Sequence, residues 1–285
     1  MRIKLKIEYD GTDYCGWQIQ PNGVSVQEVI TAAIKKITGE DVKLIGSGRT
    51  DAGVHAAGQV AHFDTESGIP PEKFAYALNA VLPEDIKIIS AELAGDDFNA
   101  RFSAKKKTYE YHMYVSEFSH PLKSRYAVWI NYPLDIEKMN SAAKLFEGEH
   151  DFKCFLAANS SVKDTVRTIY KSEVKNCGDE IVFSVTGNGF LYNMVRIMAG
   201  TLVAVGSGKL KESDVLKILE SGGLLDKGEI AQIKEEGAIP AEILESLSDK
   251  NPTPAQKAVI DAASEAQDAV AALENEKEAE TLEYT

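Results

Sequence analysis

Arg2-Ile3-Lys4-Leu5-Lys6-Ile7 alternates polar and apolar residues without a break, which predicts a strand with one wet face. Tyr9-Asp10-Gly11-Thr12 ends it. The period then lengthens. Ser25 stands as an N-cap with Glu28 completing a capping box, and residues 26–39, VQEVITAAIKKITG, form a helix that stops at Gly39. A short strand, VKLIGSG, leads into a glycine-rich loop, and QVAHFDT is a second strand after it. Pro70-Pro71 opens the helix PEKFAYALNAVL, which Pro83 closes. DIKIISAEL reads as another strand.

This order, β-α-β-β-α-β, is the ferredoxin-like one. A second half follows the basic cluster Arg101, Lys105, Lys106, Lys107. TYEYHMYVS is a tyrosine-rich strand, and LDIEKMNSAAKLFEG is a helix ending at Gly148. HDFKCF, TVRTIYKSEVKN and DEIVFSVTGNG are strand-like. FLYNMVRIMAGTLVAVGSG reads as a long apolar helix, with ESDVLKILESG after it. The predicted fold class is α+β: two ferredoxin-like or RNP-like halves, with antiparallel mixed sheets forming a central cleft. The expected domains are residues 1–104, 105–221 and an acidic tail, 222–285. In the tail alanine and glutamate dominate, and AVIDAASEAQDAVAALENEKEAE has high helix propensity without a clean heptad, so it reads as helical or partly disordered.

Composition narrows the class. The 285 residues are 44% hydrophobic and 26% charged, ordinary for a soluble globular chain with a real core. No apolar run approaches the roughly 18–20 residues that span a membrane, and the alternating N-terminus is no signal-peptide core. Cys15, Cys154 and Cys177 have no metal-ligand spacing and suggest reduced thiols in a cytosol. The net charge of −13 argues at first against a nucleic-acid partner. Residues 221–285, however, hold 5 Lys and 15 acidic residues, a net of −10. The remaining residues carry only −3, and a near-neutral body can present a basic face.

The chemistry concentrates in residues 46–63, GSGRTDAGVHAAGQVAHF. Gly46, Gly48 and Gly53 let the backbone turn sharply and let a ligand approach. Arg49 offers a planar fork for phosphate or carboxylate. Asp51, beside it, is either an ordinary turn residue paired with arginine or a carboxylate held ionised as a base or nucleophile. Neither nucleotide-binding glycine pattern is complete here. His55 and His62 lack a third ligand, which argues against a metal; His55 is expected to support the loop and His62 to be structural.

The stretch Gly48-Arg49-Thr50-Asp51-Ala52-Gly53-Val54-His55-Ala56 resembles the signature of the TruA family of tRNA pseudouridine synthases. Tyr9-Asp10-Gly11-Thr12, Gly16-Trp17-Gln18 and Ser25-Val26-Gln27 are similar to that family's opening. Phe98 to Ala104 followed by Lys107-Thr108-Tyr109 resembles its domain junction. His150-Asp151-Phe152 and Gly189 to Arg196 resemble its second half, so the likeness runs over roughly residues 1–220. The resemblance implies an isomerase that breaks the C1′–N1 bond of a flipped-out uridine, turns the base and rejoins it through C5, with no cofactor and no metal. It implies Asp51 as the essential catalytic residue and Arg196 as its charge partner. It implies Tyr109 as the base-stacking face and Arg49 as a contact to the RNA that helps displace the target base. Arg101 and Lys105 to Lys107 are expected to contact phosphate, although a lysine run is more often a wet surface. Asp51 can attack C1′ or C6, or remove the 2′ proton. The family also implies a cytoplasmic homodimer that grips tRNA and acts at positions 38, 39 and/or 40 of the anticodon stem-loop.

After Gly223 the resemblance ends. The family's small-residue closing segment has its nearest echo in Asn251-Pro252-Thr253-Pro254-Ala255-Gln256-Lys257. An acidic tail beside a tRNA groove would repel phosphate. The alternative reading is therefore a tRNA-binding or refolding protein with a TruA-like body and weak catalysis.

Overall fold

The alternation at the N-terminus becomes β1, Arg2–Tyr9, with Ile3, Leu5, Ile7 and Tyr9 buried on one face. The structure, a computed structural model, describes residues 1–21, 23–156 and 162–220. The chain divides into two units, Met1–Lys105 and the part from Lys106 onward.

In the first unit α1, Val26–Thr38, starts at Ser25, whose side chain accepts from Glu28 N while Glu28 reaches back to the Ser25 N–H. Gly39 ends it in the left-handed region, at φ 77°. Ile30 and Ile34 of its inner face are fully buried, each worth about 1.5–3 kcal/mol relative to exposure. Next come β2, Ile45–Gly46, and β3, Ala56–Asp64. A 3₁₀ turn at Pro71–Lys73 precedes α2, Phe74–Asn79, and β4, Ile86–Ala94, completes the unit. The sheet order is β2-β3-β1-β4 with every pair antiparallel, the split β-α-β arrangement that the element order predicts. Arg2, at the start of β1, links β1 to β3 and to the segment after β4. The guanidinium donates to both oxygens of Asp64 at 2.8 Å and to the carbonyls of Asp96 and Phe98, tying residues 96–98 to the sheet.

The second unit runs β5, Lys107–Val115; β6, Val128–Ile130; α3, Ile136–Lys144; and β7, Gly148–Asp151. After a 3₁₀ turn at Lys153–Phe155 come β8, Val166–Cys177; β9, Glu180–Gly187; α4, Met194–Gly206; and α5, Glu212–Glu220. The sheet order is β6-β5-β9-β8-β7. Here the expected ferredoxin-like order needs correction. The β5-β9-β8 core is antiparallel as expected, but the strand on the other side of β5 is β6, and it pairs parallel. Among the described residues α4 is followed by α5 and not by a strand. Ile181, Phe183 and Val185 of β9 are buried at alternate positions. They join Met139 of α3 and Ile197, Met198 and Leu202 of α4 in one core.

Two other expectations shift. HDFKCF is not a strand throughout: β7 ends at Asp151, and Lys153–Phe155 turn so that Cys154 and Phe155 drop into the core. The apolar run at residue 190 does not begin as helix. Asn193 takes a left-handed conformation, φ 56°, and α4 starts only at Met194. No helix among the described residues is long and apolar enough to cross a membrane. The tail, 222–285, lies outside the described residues, as does the echo at Asn251 to Lys257.

Candidate active site

Residues 47–55 connect β2 to β3 without strand or helix, and this connection carries Arg49, Thr50 and Asp51. Its base is gripped by the buried Gln59 of β3. Ser47 Oγ donates to Gln59 Oε1 at 2.7 Å, and Gln59 Nε2 donates to the Gly48 carbonyl at 2.8 Å. Beyond that grip Arg49 is exposed, while Thr50 and Asp51 are half-buried.

The loop lies against the segment that follows β1. Trp17 N–H donates to the Thr50 carbonyl at 3.1 Å, and Gly53 N–H donates to the Tyr14 carbonyl at 3.3 Å. The Tyr9 and Thr50 hydroxyls are 2.8 Å apart. Val54 N–H turns back onto the Asp51 carbonyl at 3.2 Å. The two segments approach so closely that side chains are excluded. A Cβ on Gly11 would stand 2.1 Å from the Val54 carbonyl oxygen, and one on Gly16 2.5 Å from that of Thr50. Gly16 also has φ +102°, a conformation that favours glycine. Gly11 N–H donates to His55 Nδ1 at 3.1 Å, so His55 supports the loop from its far end. Asp10, 3.0 Å from the same nitrogen, also accepts from the Thr12 N–H and hydroxyl. Tyr14 bonds Asp85 at 2.9 Å; burial and that carboxylate together push its hydroxyl pKa up. His62 is structural: it is buried, and its Nδ1 accepts from Ala100 N–H at 3.1 Å.

In the second unit Lys107, Tyr109 and Tyr111 occupy alternate positions of β5, on the face packed against α4. The Tyr109 ring meets Phe190 edge-on, with centroids 5.0 Å apart. Arg196 sits in the first turn of α4, half-buried. Burial raises the Tyr111 hydroxyl pKa, and the positive charge of Arg196 opposes that rise. The expected residues thus fall into groups. Arg49 and Asp51 share one loop of the first unit, and Lys107, Tyr109 and Arg196 belong to the β5–α4 layer of the second. Arg101 lies in the turn after β4, exposed, with its guanidinium 5.7 Å from the centre of the Phe102 ring.

Tyr9, Trp17 and Gln59, which hold the loop, have no role that the sequence alone reveals. The signal was present in Gly11 and Gly16, since glycines a few residues apart in a non-repeating segment mark a close backbone approach. What they approach is fixed only by the fold.

With this geometry in view, the family described as tRNA pseudouridine synthase matches residues 6–103 and 142–257. The second stretch extends past residue 220, where the resemblance read from motifs stops, and takes in the echo at Asn251 to Lys257. The chain is 51% identical over 219 residues to tRNA pseudouridine synthase A of Thermoanaerobacter sp. (strain X514), covering 77% of this chain and 90% of that protein. It is 52% identical over 219 residues to the protein of that name from Caldicellulosiruptor bescii, with the same coverage. It is 46% identical over 233 residues to that of Brevibacillus brevis, covering 82% of this chain and 96% of the relative.

Proposed function

The chain belongs to the tRNA pseudouridine synthase family, and on that premise we propose that it isomerises uridine to pseudouridine at positions 38, 39 and/or 40 of the tRNA anticodon stem-loop. The observation that carries the proposal is the Arg49-Thr50-Asp51 loop. It is held from β1, from the segment after β1 and from β3, and it keeps one carboxylate half-buried beside an exposed arginine.

Asp51 is the group that reacts at the nucleoside. Arg49 meets the RNA and helps displace the target base. A flipped pyrimidine needs a flat partner, and Tyr109, steadied edge-on by Phe190, supplies one. Arg196 contributes positive charge to the reaction, and Lys107 and Arg101 contact phosphate. Exposed cation–aromatic pairs such as Arg101 with Phe102 and Lys106 with Tyr170 suit a ligand of alternating charge and base. The chemistry draws on these side chains alone, in a cytoplasmic homodimer.

The test is to incubate the protein with an unmodified tRNA transcript bearing uridines at 38 to 40 and map pseudouridine by carbodiimide-dependent primer-extension stops. Stops confined to those positions are expected. Stops elsewhere would contradict the assigned target. Binding without any stop would favour the binding-only alternative.

A further inference from the structure

Thr50, the residue immediately before Asp51, is held at two points. Its carbonyl accepts from Trp17 N–H at 3.1 Å, and its hydroxyl meets that of Tyr9 at 2.8 Å. Tyr9 is the last residue of β1 and is 3% exposed, so its ring is part of the core while its oxygen reaches the loop. The ring also lies 6.1 Å from that of Trp17, which itself covers Gly46 so closely that a Cβ there would come within 2.6 Å of the indole. Both anchors of Thr50 therefore trace to one aromatic pair that is fixed in the core. Fixing the carbonyl and the side chain of one residue fixes the plane of the peptide that follows. That peptide places Asp51 Cα, and the bond from Val54 N–H to the Asp51 carbonyl at 3.2 Å restrains the rotation left to its side chain.

We propose that Tyr9 is a positioning residue for Asp51, acting through the hydroxyl of Thr50. The inference rests on the reading of Asp51 as the reacting group. It gives the Tyr9 hydroxyl a task that core packing does not need, because the phenyl ring alone fills the core. Misplacement of a reacting group by about 1 Å can cost on the order of 100-fold in rate.

The experiment measures kcat and KM for pseudouridine formation on unmodified tRNA transcript, with melting temperatures, for wild type, Tyr9→Phe, Thr50→Val, the double variant, Thr50→Ser and Asp51→Ala. Tyr9→Phe and Thr50→Val should each lower kcat by about 10- to 100-fold with KM changed less than about twofold. The double variant should be no slower than the worse single, because one contact is removed either way. Thr50→Ser, which keeps the hydroxyl, should recover most of the rate lost in Thr50→Val. Wild-type kcat in Tyr9→Phe, or losses that multiply in the double variant, would overturn the proposal. Should Tyr9→Phe melt early, Thr50→Val against Thr50→Ser decides alone. Asp51→Ala separates the two levels. If it is inactive while Tyr9→Phe is normal, only the positioning role falls; if it is active, the reading of Asp51 falls with it.

Discussion

Gly11 shows how narrowly the loop that carries Arg49, Thr50 and Asp51 is accommodated. A methyl group there would overlap the Val54 carbonyl at 2.1 Å, a backbone atom that cannot swing aside. Gly11→Ala should therefore cost at least about 1–3 kcal/mol in urea unfolding and lower activity as the loop is displaced. Gly39→Ala, which meets nothing within 4 Å, should cost only the strain of its left-handed φ and leave kcat unchanged. Equal kinetic effects from the two would contradict the close-approach account. At this scale the sequence displayed the candidate site residues but not their supports. Arg49, Thr50 and Asp51 stand out because charge and glycine cluster around them. Tyr9 and Gln59 look like ordinary strand residues, and only the pairing of β1 with β3 puts them beside the loop.

Elements with local signals are the ones the sequence predicts best. The α1 helix is marked by Ser25, Glu28 and Gly39, all of which cap it as their chemistry requires. Ser25→Ala should lose about 0.5–2 kcal/mol of stability, read from the shift of the urea midpoint at unchanged slope. No shift would mean that the cap contributes nothing beyond packing. Where one residue's conformation overrides the pattern, prediction slips. FLYN has helical composition, but Asn193, a residue tolerant of positive φ, breaks it and delays α4 to Met194. The β6 strand is only three residues, too short for a period to be read, and it changes the edge of the second sheet.

Two electrostatic features shape the behaviour of the molecule as a whole. Burial first, and then the nearby Arg2 charge, hold the His62 pKa below its ordinary value. The unfolded chain takes up a proton there as pH falls below about 6.5, while the folded chain resists it. The contribution of His62 to folding stability is therefore full above that pH and is lost as pH falls below it toward the lower folded pKa. His62→Gln, whose amide oxygen can still accept from Ala100 N–H, should flatten this decline in pH-dependent thermal melts; an unchanged slope would show that another group is responsible. The acidic residues are the second feature. Residues 258–285 hold eight acidic side chains and one Lys, so removing them changes the net charge from −13 to −6. If they repel RNA at long range, the shortened chain should bind tRNA more tightly at low ionic strength. The gain should shrink near 0.15 M salt, where screening acts over about 8 Å. Equal filter-binding affinity at low salt would show no such repulsion.

The most direct test is the rate of pseudouridine formation in unmodified tRNA by wild type and by Asp51→Asn, with tRNA affinity measured alongside. Asn keeps the size of the side chain and removes its charge. Loss of the reaction by more than about a thousandfold, with affinity within a few-fold of wild type, is the expected result. A variant that still converts uridine at a comparable rate would show that the carboxylate held in the loop is not the group that does the chemistry.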